Sequence, residues 1–294
     1  MPLPWSFGRL PLIVAAATPL TDEGVALDEG AIGPMVAFLE GHGADGLFCC
    51  GTTGEGMLLS LEERQRAAAI FRSAVAGRLV VHAGAQTTAG TVALAAHAAE
   101  IGADGVAVIP PPYFPLDPEA LTDHLVAAAA ACAPLPFFIY VFTRRSGYPL
   151  PVHVIRAVAE RADNLVGLKV SESPFPAVAP YLELGLPVLV GSEPLIVQAL
   201  EAGAAGTVSG LAAAFPDVVR DVLDDPSPIG AGRLDALRSA METTPFIASV
   251  KHVLARRGVP IRRAVRAPLR PLTQEQTSRL DVALAELEPA TVGA

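Results

Sequence analysis

Apolar positions follow two rhythms along this chain. Alanine-rich stretches with apolar residues three and four apart give way to short, nearly continuous apolar runs. The first rhythm predicts amphipathic helices and the second predicts buried strands. Their junction recurs. "GHGADGLFCCG" from Gly41, "EIGADGVAVIP" from Glu100 and "EAGAAGTVSG" from Glu201 each read as a helix end, a glycine turn and a strand. Gly43, Gly102 and Gly203 suit the left-handed stop of a helix. On this template eight strands are predicted, near 13–18, 46–51, 79–84, 105–110, 137–142, 166–171, 187–191 and 206–210.

Helical patterns separate most of the strands, as at 60–76, 88–101 and 117–132. Ser60 followed by Glu63 forms a capping box for the first. Apolar strands alternating with helices predict a parallel sheet. Eight units over about 215 residues match in number and length an α/β fold of the (β/α)8 TIM-barrel type. A doubly wound sheet is the competing architecture. "GHGADG" matches G-x-G-x-x-G, but a helix precedes it and a strand follows, the reverse of a dinucleotide-binding turn. After "DDPSPIG" the pattern changes to helices over about 230–257 and 274–288. The expected organisation is a barrel catalytic domain over 1–224 and a C-terminal helical region over 225–294.

Composition narrows the picture. A chain of 294 residues, 51% hydrophobic and 17% charged, is long enough for a sizeable core and too apolar for disorder. A net charge of −9 argues against nucleic acid and acidic membrane surfaces as partners. One basic run, Arg256 to Arg270, reads as a solvated face or a subunit contact, with a site for an anionic ligand as the alternative. The three cysteines, Cys49, Cys50 and Cys132, are odd in number and show no metal spacing, which fits a reducing cytoplasm. "LPLIVAAA" after Arg9 resembles a short signal core, but Pro11 interrupts it. The uncharged stretch from Leu125 to Phe142 contains Pro134 and Pro136, so a turn and a strand are expected there, with no membrane span.

Charge then singles out one residue. All but two of the 21 cations are arginine, and the exceptions are Lys169 and Lys251. Lys169 sits within the apolar strand "LVGLKV". One reading is an amine paired with a buried carboxylate. The other is a nucleophile whose pKa burial lowers and which attacks carbonyls to form a Schiff base, a reaction guanidinium performs poorly. The strand before it carries Tyr140 in the run "FFIYVF", a candidate proton donor. Strand 2 ends in "GTTGEG", Gly51 to Gly56, whose backbone N–H groups and hydroxyls suit a carboxylate. No G-K-[ST] follows it, so it is not a phosphate-binding P-loop. The six histidines lack metal spacing, and no G-x-S-x-G elbow occurs.

"GTTGEG", Tyr140 and "GLK" with Lys169 29 residues after Tyr140, together with Thr18-Pro19, resemble one family over residues 18 to about 285. It is the dihydrodipicolinate synthase / N-acetylneuraminate lyase family of Schiff-base class I aldolases. The resemblance implies a (β/α)8 barrel with C-terminal helices, assembled as a homotetramer or homodimer and needing no cofactor. It implies that Lys169 forms the imine with pyruvate or a related 2-oxo acid. Thr53 would hold the carboxylate, and Tyr140 would move protons. Thr52 would link Tyr140 to Tyr113 of a neighbouring subunit. Arg145 would meet the carboxylate of a second substrate, and Gly191 and Val208 would offer backbone groups. The family's strand-5 Tyr-Asn-x-Pro is here Tyr140-Val141-Phe142-Thr143, Pro112 precedes Tyr113, and Val170 follows the lysine where a polar residue is common. Leu61 and Arg64 stand where some synthases carry effector-site histidines.

The first expectation is therefore a cytoplasmic lyase that condenses a 2-oxo acid with an aldehyde, as dihydrodipicolinate synthases do. The alternatives are aldol cleavage of a 2-keto-3-deoxy sugar acid, a 4-hydroxy-2-oxo acid or N-acetylneuraminate, and a barrel that binds a 2-oxo acid without turnover. At position 170, Val170 is expected to bear on which substrate is accepted.

Overall fold

The computed structural model describes residues 3–287. Eight parallel strands close in sequence order into a barrel. They are β1 (Leu12–Ala15), β2 (Gly46–Cys49), β3 (Arg78–His82), β4 (Gly105–Val108), β5 (Phe137–Val141), β6 (Leu165–Val170), β7 (Val188–Val190) and β8 (Gly206–Ser209). Helices α1 (Glu29–Gly41), α2 (Leu61–Ala74), α3 (Thr88–Glu100) and α4 (Pro118–Cys132) follow the first four strands. Then come the short α5 (Thr143–Ser146) and α6 (Val152–Ala159), α7 (Phe175–Leu182), α8 (Ile196–Glu201) and α9 (Pro216–Asp224). The chain ends in α10 (Pro228–Glu242), α11 (Phe246–Arg256) and α12 (Gln274–Leu287). This is the (β/α)8 barrel with C-terminal helices that the apolar rhythm predicts.

Two expectations need correcting. All eight strands stop one to three residues earlier than their apolar runs, because the buried or half-buried rim residues that follow no longer continue the paired register, although some still bond across, as the Ser171 N–H does to the Val141 carbonyl at 2.9 Å. Cys50 is an example: it is 1% exposed yet adopts the left-handed φ of 57°. The helix expected over 230–257 is two helices. Pro245 separates them by denying the αR region to the residue before it and capping α11. The last residue expected in the final helix, 288, lies outside the described residues, as do the outer ends, 1 and 294, of the two expected domains.

Strand alternation sorts the core in two. Outward residues such as Leu47, Ile139, Leu168 and Val170 pack against the helices. Inward residues such as Ile13, Phe48, Val80, Phe138, Leu189 and Val208 fill the barrel. Gly167 makes this possible in β6, since a Cβ there would lie 3.0 Å from the Phe138 ring. Trp5 closes the lower end on Phe138, with ring centres 5.3 Å apart.

The capping box forms as expected. The Glu63 N–H donates to the Ser60 hydroxyl at 3.1 Å, and the Ser60 N–H donates to the Glu63 carboxylate at 2.9 Å. Much of the basic run is ion-paired. Arg257 pairs with Asp217 at 2.8 Å, Arg266 with Glu63 at 2.6 Å, and Arg262 with Asp22 and Asp28. These arginines fasten the C-terminal segment to the barrel. No described helix is long and apolar enough to cross a membrane.

Candidate active site

The C-terminal ends of the strands open into a cavity of about 1000 Å³. β6 delivers Lys169 to its floor. Register sets Lys169 beside Tyr140 of β5 and Leu189 of β7. The amine lies 4.0 Å from the ring centres of both Phe48 and Tyr140. It is 5% exposed, and among the described residues no carboxylate forms an ion pair with it. Burial lowers its pKa to about 7, opposed only by the more distant charge of Glu193. A substantial share of the amine is therefore unprotonated at neutral pH.

Tyr140 is buried, and its hydroxyl stands 3.4 Å from that of Thr52. Burial raises the phenol pKa, while hydrogen bonding to Thr52 and Ser171 opposes the rise. Its ring meets those of Phe48 and His82 edge-on, each at 5.9 Å. Burial, then the charges of Arg64 and Lys169, pushes the His82 pKa well down, so the imidazole is neutral.

The loop 51–56 is compact because its glycines admit backbone contact. A Cβ at Gly56 would lie 1.8 Å from the Cys50 carbonyl oxygen. Buried Thr18 of the Thr-Pro pair donates to the Gly54 carbonyl at 2.6 Å. Glu55, left-handed at φ 57°, reaches into the C-terminal region. One carboxylate oxygen pairs with Lys251 at 2.6 Å, and the other accepts the Arg266 N–H at 2.6 Å. Thr52 and Thr53 are thereby held at the cavity wall.

Two glycines make room for hydroxyls. A Cβ at Gly191 would sit 2.1 Å from the Ser171 hydroxyl, and one at Gly210 would sit 3.1 Å from that of Thr53. The far wall carries Glu193, 1% exposed. It accepts from the Ser209 hydroxyl at 2.8 Å and the Leu211 N–H at 2.9 Å, and it pairs with Arg238 of α10 at 3.0 Å. Arg238 also covers the ring of Phe246, 4.0 Å from its centre.

Of the sequence-predicted residues, Lys169, Tyr140, Thr52, Thr53, Arg145, Gly191 and Val208 line this one cavity. Tyr113 does not. It is 81% exposed on the loop after β4, with φ 86°, and stacks edge-on with Phe114. Pro112 lines the cavity instead. Val170 also departs from expectation: alternation turns it outward into the helix-facing core, fully buried, so it cannot touch a ligand. An apolar residue there answers to packing.

Sequence reasoning missed Ser171, Glu193, Arg238 and Phe246. A period of two from Lys169 would have found Ser171. Arg238 and Phe246 come from helices beyond the barrel and carry no motif. Among the described residues no group of three or more His, Cys, Asp or Glu is placed to hold a metal ion.

Comparison with known proteins bears on this site. The model of the Dihydrodipicolinate synthetase family matches residues 9–287. An uncharacterised DapA-like lyase of Halobacterium salinarum is 34% identical over 95% of this chain and 93% of its own length. The 4-hydroxy-tetrahydrodipicolinate synthase of Kineococcus radiotolerans is 34% identical over 96% and 95%. The solved structure of a prophage protein of the dihydrodipicolinic acid synthase family from E. coli K12, in complex with pyruvate, superposes with a TM-score of 0.88. It is 24% identical and covers 95% of this chain and 98% of its own. This barrel of strands and helices, with its strand-end cavity, belongs to the dihydrodipicolinate synthetase family, a family of lyases.

Proposed function

We propose that this lyase forms a Schiff base between Lys169 and pyruvate or a related 2-oxo acid, then joins the bound fragment to an aldehyde. The observation that carries the reading is the environment of Lys169: a buried amine with no ion-pair partner, seated against two aromatic faces, its pKa near 7. An amine so placed has its lone pair available at neutral pH.

The 2-oxo acid enters with its carboxylate toward Thr53 and the N–H groups of the 51–56 loop. Gly191 and Val208 border it. The Lys169 nitrogen adds to C2, and the keto oxygen leaves as water after taking one proton from the amine and one from Tyr140, which is left as the phenolate. The imine then draws electrons from C3, whose proton passes to the Tyr140 phenolate and restores the phenol, and C3 becomes the enamine nucleophile. C3 attacks the aldehyde carbon, and the new alkoxide takes its proton from Tyr140. Water hydrolyses the imine, releasing a 4-hydroxy-2-oxo acid and the free amine. Thr52 keeps the phenol in place. Arg145 meets an anionic group on the aldehyde. Exposed Tyr113 joins the relay from a second copy in a homodimer or homotetramer. The 34% identity to a 4-hydroxy-tetrahydrodipicolinate synthase supports the condensing direction.

Borohydride reduction in the presence of pyruvate tests this. The expected result is one reduced adduct, located on Lys169 by peptide mass spectrometry. An unmodified chain, or an adduct confined to Lys251, would overturn it.

A further inference from the structure

Phe48 does not line the cavity, yet it touches the reacting nitrogen. It comes from β2, belongs to the barrel interior and is 1% exposed. Its ring face lies against the Lys169 amine, which stands 4.0 Å from the ring centre. The Tyr140 ring offers a second face at the same distance. The two rings meet at 80° with their centres 5.9 Å apart, so the amine sits in an aromatic corner. Neighbours hold the Phe48 ring there. A Cβ at Gly51 would lie 2.5 Å from the Phe48 Cε1 atom, so a side chain at 51 would push the ring aside. The His82 ring packs 5.9 Å away at 36°.

An aromatic face is the negative side of the ring quadrupole and attracts a cation, most strongly where water is excluded. It gives little to a neutral amine. The imine reaction turns one into the other. Lys169 attacks as the neutral amine, and loss of water leaves its nitrogen as a positively charged iminium. The one charged group that favours a cation at this nitrogen is the more distant Glu193, and its carboxylate is paired with Arg238. Phe48 has no hydroxyl with which to move a proton, so its face is what it contributes.

We infer that Phe48 is a further catalytic residue, whose ring face stabilises the positive charge that forms on the Lys169 nitrogen as water leaves. The inference rests on Lys169 forming the imine. The C2–N double bond forms, the C2–O bond breaks, and no further reactant is needed.

The contribution depends on the charge of the free amine. Below about pH 7 that amine is already a cation, and the ring favours ammonium and iminium alike. Above it the free amine is neutral, and only the iminium gains. Three other titratable groups face this nitrogen. His82 on β3 is neutral, the Tyr140 phenol on β5 is pushed above its ordinary range, and the Glu193 carboxylate beyond β7 is ion-paired.

The test keeps the shape of the ring and weakens its face. In the intact protein Phe48→3,4,5-trifluorophenylalanine is introduced by codon suppression. Brief borohydride quenching at graded pyruvate concentrations then gives the affinity of the Lys169 adduct at pH 6 and at pH 9. The expected loss is about tenfold or more at pH 9 and about twofold or less at pH 6, as for a cation held by a desolvated ring. Phe48→Leu, which keeps bulk without a face, should likewise lose more at pH 9 than at pH 6. Undiminished affinity at pH 9 in the fluorinated protein overturns this inference and leaves the imine standing. Equal losses at the two pH values also overturn it, because packing alone does not distinguish the charge of the free amine. No adduct on the unaltered protein overturns both readings.

Discussion

Lys169 and Lys251 are both buried, and the protein treats them in opposite ways. Lys251, on α11, is fully enclosed. Its amine pairs with Glu55 at 2.6 Å and donates to the Ala264 carbonyl at 2.7 Å. Burial lowers its pKa, but the carboxylate opposes that and favours the charged form. Lys169 is given aromatic faces in place of a carboxylate, and its pKa falls to about 7. One amine is kept as a cation and serves as a fastener. The other is poised to lose its proton. Burial alone therefore does not make a lysine reactive, and the absence of an ion-pair partner separates the two cases. Glu55 links them, because it sits in the loop that carries Thr52 and Thr53.

The sharpest way to break this comparison is to replace each amine by methionine, which is unbranched, only one atom shorter and uncharged. Lys169→Met is expected to lower turnover by about 10⁴-fold or more, as removal of a covalent nucleophile does. It should also abolish the pyruvate adduct while leaving the circular dichroism spectrum unchanged. Residual turnover within tenfold of the unaltered enzyme would place the chemistry elsewhere. Tyr140→Phe comes next, with turnover expected to drop roughly 10²- to 10⁴-fold. Its adduct should still form given time, which separates proton transfer from nucleophilic attack.

Lys251→Met should act on folding. It strands a fully buried carboxylate, and breaking such a pair typically costs about 3–5 kcal/mol. Urea denaturation measures the loss. Adding Glu55→Gln should recover part of it, since an amide oxygen can still accept the Arg266 N–H. If the double variant is no better than the single one, the pair is not what holds the loop.

Much of this was legible beforehand because the near-continuous apolar runs of the strands and the rarity of lysine are properties of the chain itself. Lys169, Tyr140 and the 51–56 loop all fall at strand ends, where barrel chemistry collects. The structural role of Lys251 was not legible, because its partner lies almost two hundred residues away in a loop that reads as a ligand turn. Glu193 was hidden for a related reason: Arg238, which pairs with it, comes from a helix with no motif. Val170 was misjudged because its place beside Lys169 in sequence puts it on the opposite face of the strand. Tyr113 lies outside this cavity, and a contribution from a second chain is not something one chain's pattern reveals.

The smallest expected effect is also the most diagnostic for the contrast between the two amines. In the unfolded chain Lys169 has the ordinary lysine pKa of 10.5, and in the folded protein it falls to about 7. Below pH 7 the amine is protonated in both states, so the native protein carries the full penalty of an unpaired buried cation. Between about 7 and 10.5 the unfolded chain binds a proton that the folded one does not, so stability rises with pH. The slope is at most about 1.4 kcal/mol per pH unit, the limit for one proton. Lys169→Met lacks this dependence. It should be the more stable protein near pH 6, with its advantage shrinking steadily toward pH 9 (roughly the span in which one proton is exchanged). Lys251→Met should instead be the less stable protein at neutral pH, because there the methionine strands Glu55. A constant gap between the native protein and Lys169→Met across that range would mean that Lys169 stays charged, and the distinction between the two lysines would collapse.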